Sequence, residues 1–199
     1  MVVRFAARGL FAVGGWALRW GVVVRVADRV LVDAARAGDV DAFEVLVRRH
    51  QGRVYRVALR LLGSDADAQD AAQETFIRAW RGLGRFRGES DVSTWLYRIV
   101  TNRCLNVIAA RRSAESLDME LPSVGSDPAE ITEQLERFTA VARQVASLVP
   151  EQRAAVVLRD FEGLSYEDVA EVLGVSVAAV KGRIHRGRLS VLREAAGWR

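Results

Sequence analysis

The chain reads as an all-α protein built from two small helical domains joined by a flexible linker. Apolar residues recur at three- and four-residue spacing from Leu31 almost to the C-terminus, and the strict alternation that marks a strand is absent. A polar segment containing Pro122, Gly125 and Pro128 is too polar to form a core and divides that pattern in two. A chain of 199 residues can bury one or two modest cores. The expected layout is an N-terminal extension over 1–26, a helical domain over 27–112, a linker over 113–132 and a second helical domain over 133–197.

The extension opens with two arginines and an apolar run from Leu10 to Leu18, like the start of a secretion signal, but Arg19 interrupts it and no small-residue cleavage site follows. It also lacks the eighteen uninterrupted apolar residues of a membrane span. It is expected to be a disordered or loosely helical arm, or the product of a start upstream of a native beginning at Val26-Ala27-Asp28-Arg29. A membrane-proximal or regulatory arm is the alternative.

The stretch DRVLVDAARAGDVDAFEVLVRRHQGRVYRVALRLLGS predicts two amphipathic helices, with a break at Gly38-Asp39 and a stop at Gly63-Ser64. The next, DADAQDAAQETFIRAW, starts at a Ser64 or Asp65 cap and is expected to turn Ala68, Ala72, Phe76, Ala79 and Trp80 inward. At about 100° per residue, Asp67, Asp70 and Glu74 fall within about 60° of one another. Such neighbours repel by a few tenths of a kcal/mol per pair. Favourable acid at a helix N-terminus accounts for Asp67 but not Glu74. A basic protein partner accounts for all three.

A glycine-punctuated loop follows, then a helix from about Val92 with Leu96, Val100, Cys104 and Val107 inward. Trp95, Arg98, Asn102 and Asn106 fall within about 80° on the outward side. An aromatic plane, a cation and amides together suit unstacked bases of a single strand. The alternative is that Trp95 folds back beneath the Phe86 loop as core.

In the last third, LSYEDVAEVLGVSVAAVKGRIHRGRLSVLRE predicts a helix capped by Ser165 with Asp168 three places on, a stop at Gly174, and a second helix capped by Ser176. Val177, Val180, Ile184, Gly187 and Val191 line the inner face of that second helix. The opposite side shows Ala178, Ala179, Gly182, His185 and Arg186, flanked by Lys181, Arg183 and Arg188. Small residues let such a helix approach DNA closely, and its cations can reach phosphates and base edges.

Charge is arranged in blocks. The total is +4 with a pI near 9.9. From Asp65 to Glu74 there are four acids and no base; from Arg78 to Arg112, eight bases and two acids; from Ser113 to Glu151, two bases and eight acids; from Lys181 to Arg193, five cations and no acid. Basic blocks in two separate helical regions suit one long polyanion. The lone Cys104 excludes an internal disulfide and fits a reducing cytosol. His50 and His185 have no ligand at metal spacing, and no phosphate loop or nucleophile elbow is found, so neither a metal, a cofactor nor an enzyme is expected.

Three motifs, DADAQDAAQETFIRAW, GRFRGESDVSTWLYRIVTNRCLN and PEQRAAVVLRDFEGLSYEDVAEVLGVSVAAVKGRIHRGR, resemble in kind, order and spacing the extracytoplasmic-function group of bacterial sigma-70-type sigma factors, over roughly Leu31 to Arg193. The resemblance implies a cytoplasmic, non-catalytic initiation subunit that binds core RNA polymerase, recognises promoter DNA and melts it. It implies that Asp67, Asp70, Gln73, Glu74 and Phe76 dock on the clamp of the largest polymerase subunits, with further contacts to the flap. It implies that the loop from Arg85 to Thr94, including Arg87, and the helix bearing Trp95, Arg98, Asn102 and Asn106 capture flipped bases of the minus-ten element. Lys181, Arg183, His185, Arg186 and Arg188 match the recognition helix for the minus-thirty-five element, with Gly182 departing from the serine common there. An anti-sigma factor is an implied partner. The alternative class is a helix-turn-helix regulator of response-regulator type, which would need strand runs in a receiver-like domain that the first 110 residues do not offer.

Overall fold

The computed structural model describes residues 27–88, 90–115 and 144–196, and every regular element among them is helical. Helix α1 spans Asp28–Arg36, α2 Val40–Leu62, α3 Asp65–Gly82 and α4 Val92–Glu115, with a single 3-10 turn at Leu83–Arg85. The expected extension over 1–26 and most of the expected linker over 113–132 lie outside the described residues. Beyond them, α5 (Pro150–Val156) widens into a π turn at Val157–Phe161, and α6 (Tyr166–Leu173) and α7 (Val177–Ala196) complete the described residues.

The caps predicted at Ser64, Ser165 and Ser176 form, and the break at Gly38-Asp39 is closed by a further cap. The Ala42 amide donates to Asp39 Oδ1 at 3.0 Å, closing the start of α2, and Gly63, at φ 72°, ends it in the left-handed conformation that glycine adopts without steric cost. Ser64 Oγ accepts from the Asp67 amide to start α3. Ser165 and Asp168 cap α6 reciprocally, satisfying two orphan backbone donors. Gly174 stops α6 at φ 63°, and Ser176 accepts from the Ala179 amide to start α7.

The first core is α2 against α3 and α4: Val54, Val57 and Leu61 meet Ala68, Ala71 and Ala79 on one side and Leu96, Val100 and Cys104 on the other. Burying each larger aliphatic side chain contributes about 1.5–3 kcal/mol. Here α3 departs from expectation. Its inward stripe is Ala68, Ala71, Thr75 and Ala79, so the seam is rotated one position from the expected Ala72, Phe76 and Trp80. Wedged between two helices, α3 needs small residues at the tight seam, and its large rings move to the rim. Trp80 ends 41 % exposed, 4.9 Å from the Phe43 ring. Burial pushes the Cys104 thiol up to about 12, so it stays a neutral core group. Asp28 ties the start of α1 to α2 through Arg49 and His50, both at 2.7 Å. Partial burial opposes ionisation of that carboxyl, but the two partners prevail and hold it below the usual carboxylate value.

The second helical group packs Leu158, Val169, Val172, Val180 and Ile184 around α5, α6 and α7. Gly187 is the close approach: a Cβ there would stand 2.8 Å from Val156 Cγ2 on α5. The buried residues of the two groups form one continuous cluster, with α6 lying against α4. At the junction Glu162, its side chain only 6 % exposed, accepts from Arg60 of α2 at 3.1 Å and from the Tyr97 hydroxyl of α4 at 2.9 Å. Arg60 also lies 4.7 Å over the Phe161 ring. Arg153 of α5 reaches the carbonyl of Leu61 at 2.6 Å and those of Ala146 and Leu148, capping the end of α2 from the other group. The two expected units are thus docked face to face.

Two outcomes follow. Gly187→Ala should lower stability by about 1–3 kcal/mol through overpacking against Val156, while Gly182→Ala, whose added methyl would meet only the mobile Arg186 side chain, should not; urea unfolding of both variants checks this. Glu162→Ala should free the junction, raising amide exchange of residues 94–104 and 157–166 by at least about tenfold, since the hydrogen bonds from Arg60 and Tyr97 are both lost, with helix content retained by circular dichroism.

Candidate functional site

Three surfaces carry the residues singled out by sequence. On α3, Asp67, Asp70 and Glu74 share the flank facing α4, Phe76 turns toward α2, and Gln73 stands exposed on the crest between them. The acids are less open than the sequence suggests. Arg111 of α4 pairs with Asp67 at 2.6 Å, and Arg78 with Glu74 at 2.7 Å. The Ser64 hydroxyl and then Arg111 hold the Asp67 carboxyl below its usual range, and Arg78 does the same for Glu74. Among the described residues Asp70 has no ion pair and is exposed.

The outward face of α4 splits in two. Trp95 and Asn102 share a cavity of about 350 Å³ between α3 and α4, completed by Arg78, Gly82, Arg85 and Ile99. Asn106 instead borders a second concavity with Asp67, Asp70, Arg103 and Arg111, where the two carboxylates would repel a phosphate. Arg98 is exposed on α4 but lines neither concavity, and Arg87 is exposed in the preceding loop. Trp95 is half-buried, its ring 4.7 Å from Phe86, so it is partly the core residue of the alternative reading and partly the wall of the cavity. Gly82 matters here: its hydrogen faces the indole, and a Cβ would already touch Trp95 Cζ2 at 3.6 Å. Arg78 and Ile99 were not singled out by sequence, and Arg85 entered only as the first residue of the loop matched to base capture. The basic block from Arg78 to Arg112 was the only other signal, and it could not say which cations converge.

On α7, Val180, Ile184 and Gly187 are buried, whereas Lys181, His185, Arg186 and Arg188 are exposed and Arg183 and Gly182 half-buried. Not all the cations are equally available. Arg188 is held by Asp160 of the π turn at 2.5 and 3.1 Å, which raises its already high pKa. Lys181 lies 5.5 Å over the Tyr166 ring, which Arg159 also faces at 4.5 Å. Among the described residues no cluster of metal-ligating side chains occurs and no helix is long and apolar enough to cross a membrane.

This arrangement, a small-seamed bundle with a cation-lined cavity followed by a helix-turn-helix, has counterparts of known kind. The chain matches the families described as Sigma-70 region 2, over residues 46–114, and Sigma-70, region 4, over residues 138–191. It is 41 % identical over 166 residues to the ECF RNA polymerase sigma factor SigM of Mycobacterium tuberculosis, covering 83 % of each chain. It is 36 % identical over 176 residues to the RNA polymerase sigma-H factor of Pseudomonas aeruginosa, covering 82 % of this chain and 91 % of that one. Its fold is similar to CnrH solved in complex with the cytosolic domain of CnrY, at a TM-score of 0.67 and 30 % identity over 87 % of this chain and all of that one. Both halves are thus matched in order along one chain, which belongs to the extracytoplasmic-function group of sigma-70-type sigma factors and directs RNA polymerase in promoter-specific transcription initiation.

Proposed function

We propose that the chain reads its promoter at two separate faces and that the closed arrangement of its two helical groups must open for both to be used at once. The observation that carries this is the pairing of two chemically different nucleic-acid faces on one chain: an arginine- and tryptophan-walled cavity between α3 and α4, and a cation-bearing helix behind a helix-turn-helix. The cavity suits one flipped base, stacked on the Trp95 ring, with Asn102 hydrogen-bonding its edge, and with Arg85 at the rim and the exposed Arg98 on α4 meeting the flanking phosphates. Flipping costs a few kcal/mol of stacking, which stacking on the protein at about 1–3 kcal/mol per base offsets in part. Helix α7 suits the major groove, with Arg186 and His185 toward base edges and Lys181, Arg183 and Arg188 toward the backbone. Because Asp160 already neutralises Arg188, Arg188 contributes least. Polymerase docking falls to the α3 ridge of Asp67, Asp70, Gln73, Glu74 and Phe76, where Asp70 offers the most available charge.

Scale supports the opening. Elements at minus ten and minus thirty-five lie about 25 base pairs apart, or about 85 Å along B-DNA. In the closed body α6 touches both α4 and α7. Neighbouring helix axes are about 8–10 Å apart, and α4 and α7, of 24 and 20 residues, are about 36 and 30 Å long. No pair of reading residues can then be separated by more than about 50 Å. The 28 residues between Glu115 and Gln144 can span up to about 95 Å when extended. The protein acts in the cytoplasm, without catalysis or cofactor of its own, and an anti-sigma factor is the expected restraint.

Run-off transcription with core polymerase on a cognate promoter tests the reading as a whole: initiation requires the chain, and the Asp70→Ala, Glu74→Ala double variant should fold normally yet bind core polymerase at least about tenfold more weakly. Trp95→Ala with Asn102→Ala should leave duplex binding near normal but reduce permanganate reactivity of melted promoter thymines. Arg186→Ala should flatten preference among minus-thirty-five variants by about 1–3 kcal/mol per contacted base, whereas Arg193→Ala should weaken all sequences alike and lower the salt slope by about one; binding to a promoter panel at two salt concentrations separates the two effects.

A further inference from the structure

The face of α3 turned toward α2 forms an apolar groove of about 890 Å³ that neither nucleic-acid face uses. Phe43 and Val47 of α2 and Phe76 and Trp80 of α3 line it, and Ile77 stands on its rim. Ile77 and Trp80 are 38 % and 41 % exposed. An aromatic-floored groove of this size on an isolated chain marks an interaction surface. At one end stands Asp65, met by the Tyr55 hydroxyl and by the Gln69 amide at 2.6 Å, and by no cation among the described residues.

The complement to that surface is written at the head of the same chain. Residues 1–26 carry Arg4, Arg8, Arg19 and Arg25, no acid, and the large apolar side chains Phe5, Phe11, Trp16 and Trp20. The segment enters the fold at Asp28, whose carboxylate is fixed to Arg49 and His50 on α2. Those two follow Val47 and precede Gln51, both groove residues, so the chain enters level with the middle of the groove and about one helix diameter, 10 Å, to its side. Twenty-six residues can span up to about 85 Å, far more than the gap requires. Tethering at that range supplies an effective concentration on the order of millimolar.

We propose that residues 1–26 dock in the α2–α3 groove, seating aromatic side chains against Phe43, Phe76 and Trp80 and bringing an arginine to Asp65. The docking stands on the groove and the arm alone. Its consequence rests on the proposed role of α3: Gln73 and Phe76 border the groove and belong to the polymerase-docking ridge, so the docked arm and core polymerase compete for one helix.

Hydrogen exchange of residues 43–55 and 69–81 decides the docking. The comparison is between the full chain, a chain starting at residue 27, and the full chain carrying Trp16→Ser and Trp20→Ser. Protection about tenfold greater in the intact full chain, restored to the shortened chain by a synthetic peptide of residues 1–26 and weakened by Ile77→Glu on the rim, is the expected result. Equal exchange in all three overturns the proposal, as does protection that persists in the shortened chain and rises with its concentration alongside a dimer in sedimentation. The shortened chain should also bind core polymerase at least about fivefold more tightly. Equal polymerase binding with the protection intact overturns the competition and leaves the docking standing, and undiminished polymerase binding by the Asp70→Ala, Glu74→Ala variant instead removes the assigned role of α3.

Discussion

The described structure turns on one carboxylate. The π turn at Val157–Phe161 widens the end of α5 by a residue, and Gly163, at φ 75°, reverses the chain behind it, so Glu162 is thrust out of its own helical group. It lands where Arg60 of α2 and Tyr97 of α4 both donate to it. A carboxylate so deprived of water is tolerable only with such partners, and removing them from a buried charge costs about 3–5 kcal/mol. The phenol responds in kind: burial, and then the neighbouring carboxylate, drive the Tyr97 pKa well above its ordinary value, so the hydroxyl remains a donor at every physiological pH. With Arg153 capping α2 from α5, polar groups rather than apolar area alone fix how the two helical groups meet.

That junction was the part of the fold least visible in the sequence. Helix ends were legible because their signals are local: Ser64, Ser165 and Ser176 cap as their spacing predicts, the break expected at Gly38-Asp39 starts α2 at an Asp39 cap, and Gly63 and Gly174 stop their helices. The heptad-like stripe of α3 misled by one position, since periodicity reports a face and not which of two flanking helices claims it. Ala71 and Thr75 won the seam over Ala72 and Phe76 because a helix gripped on two sides favours small residues at closest approach. Nothing local announced that Glu162, in a loop-like FEGLS run, would find partners 65 and 102 residues away.

The site was legible to a similar degree. The cation-bearing face of α7 is oriented as its wheel predicts, because a helix-turn-helix fixes its second helix through the buried Val180 and Ile184. The α4 face was only half foreseen. A wheel places Trp95, Asn102 and Asn106 on one side but cannot see that α3 raises a wall of Arg78 and Arg85 beside the first two and a pair of carboxylates beside the third. The same blindness made the acidic ridge look unpaired: Arg111 and Arg78, read as members of a basic block, neutralise two of its three acids.

The covalent connection between the helical groups changes what their junction needs to be. With 28 residues between Glu115 and Gln144, one group meets the other at an effective concentration on the order of millimolar. A contact with a dissociation constant of about 100 μM would then be closed roughly nine times in ten within the chain, yet separate fragments at micromolar concentration would scarcely associate. At about 1.4 kcal/mol per tenfold, such a contact would hold the closed arrangement by a margin of little more than one kcal/mol. A junction of that strength is firm enough to define a resting shape and weak enough for any partner that binds both halves apart to undo.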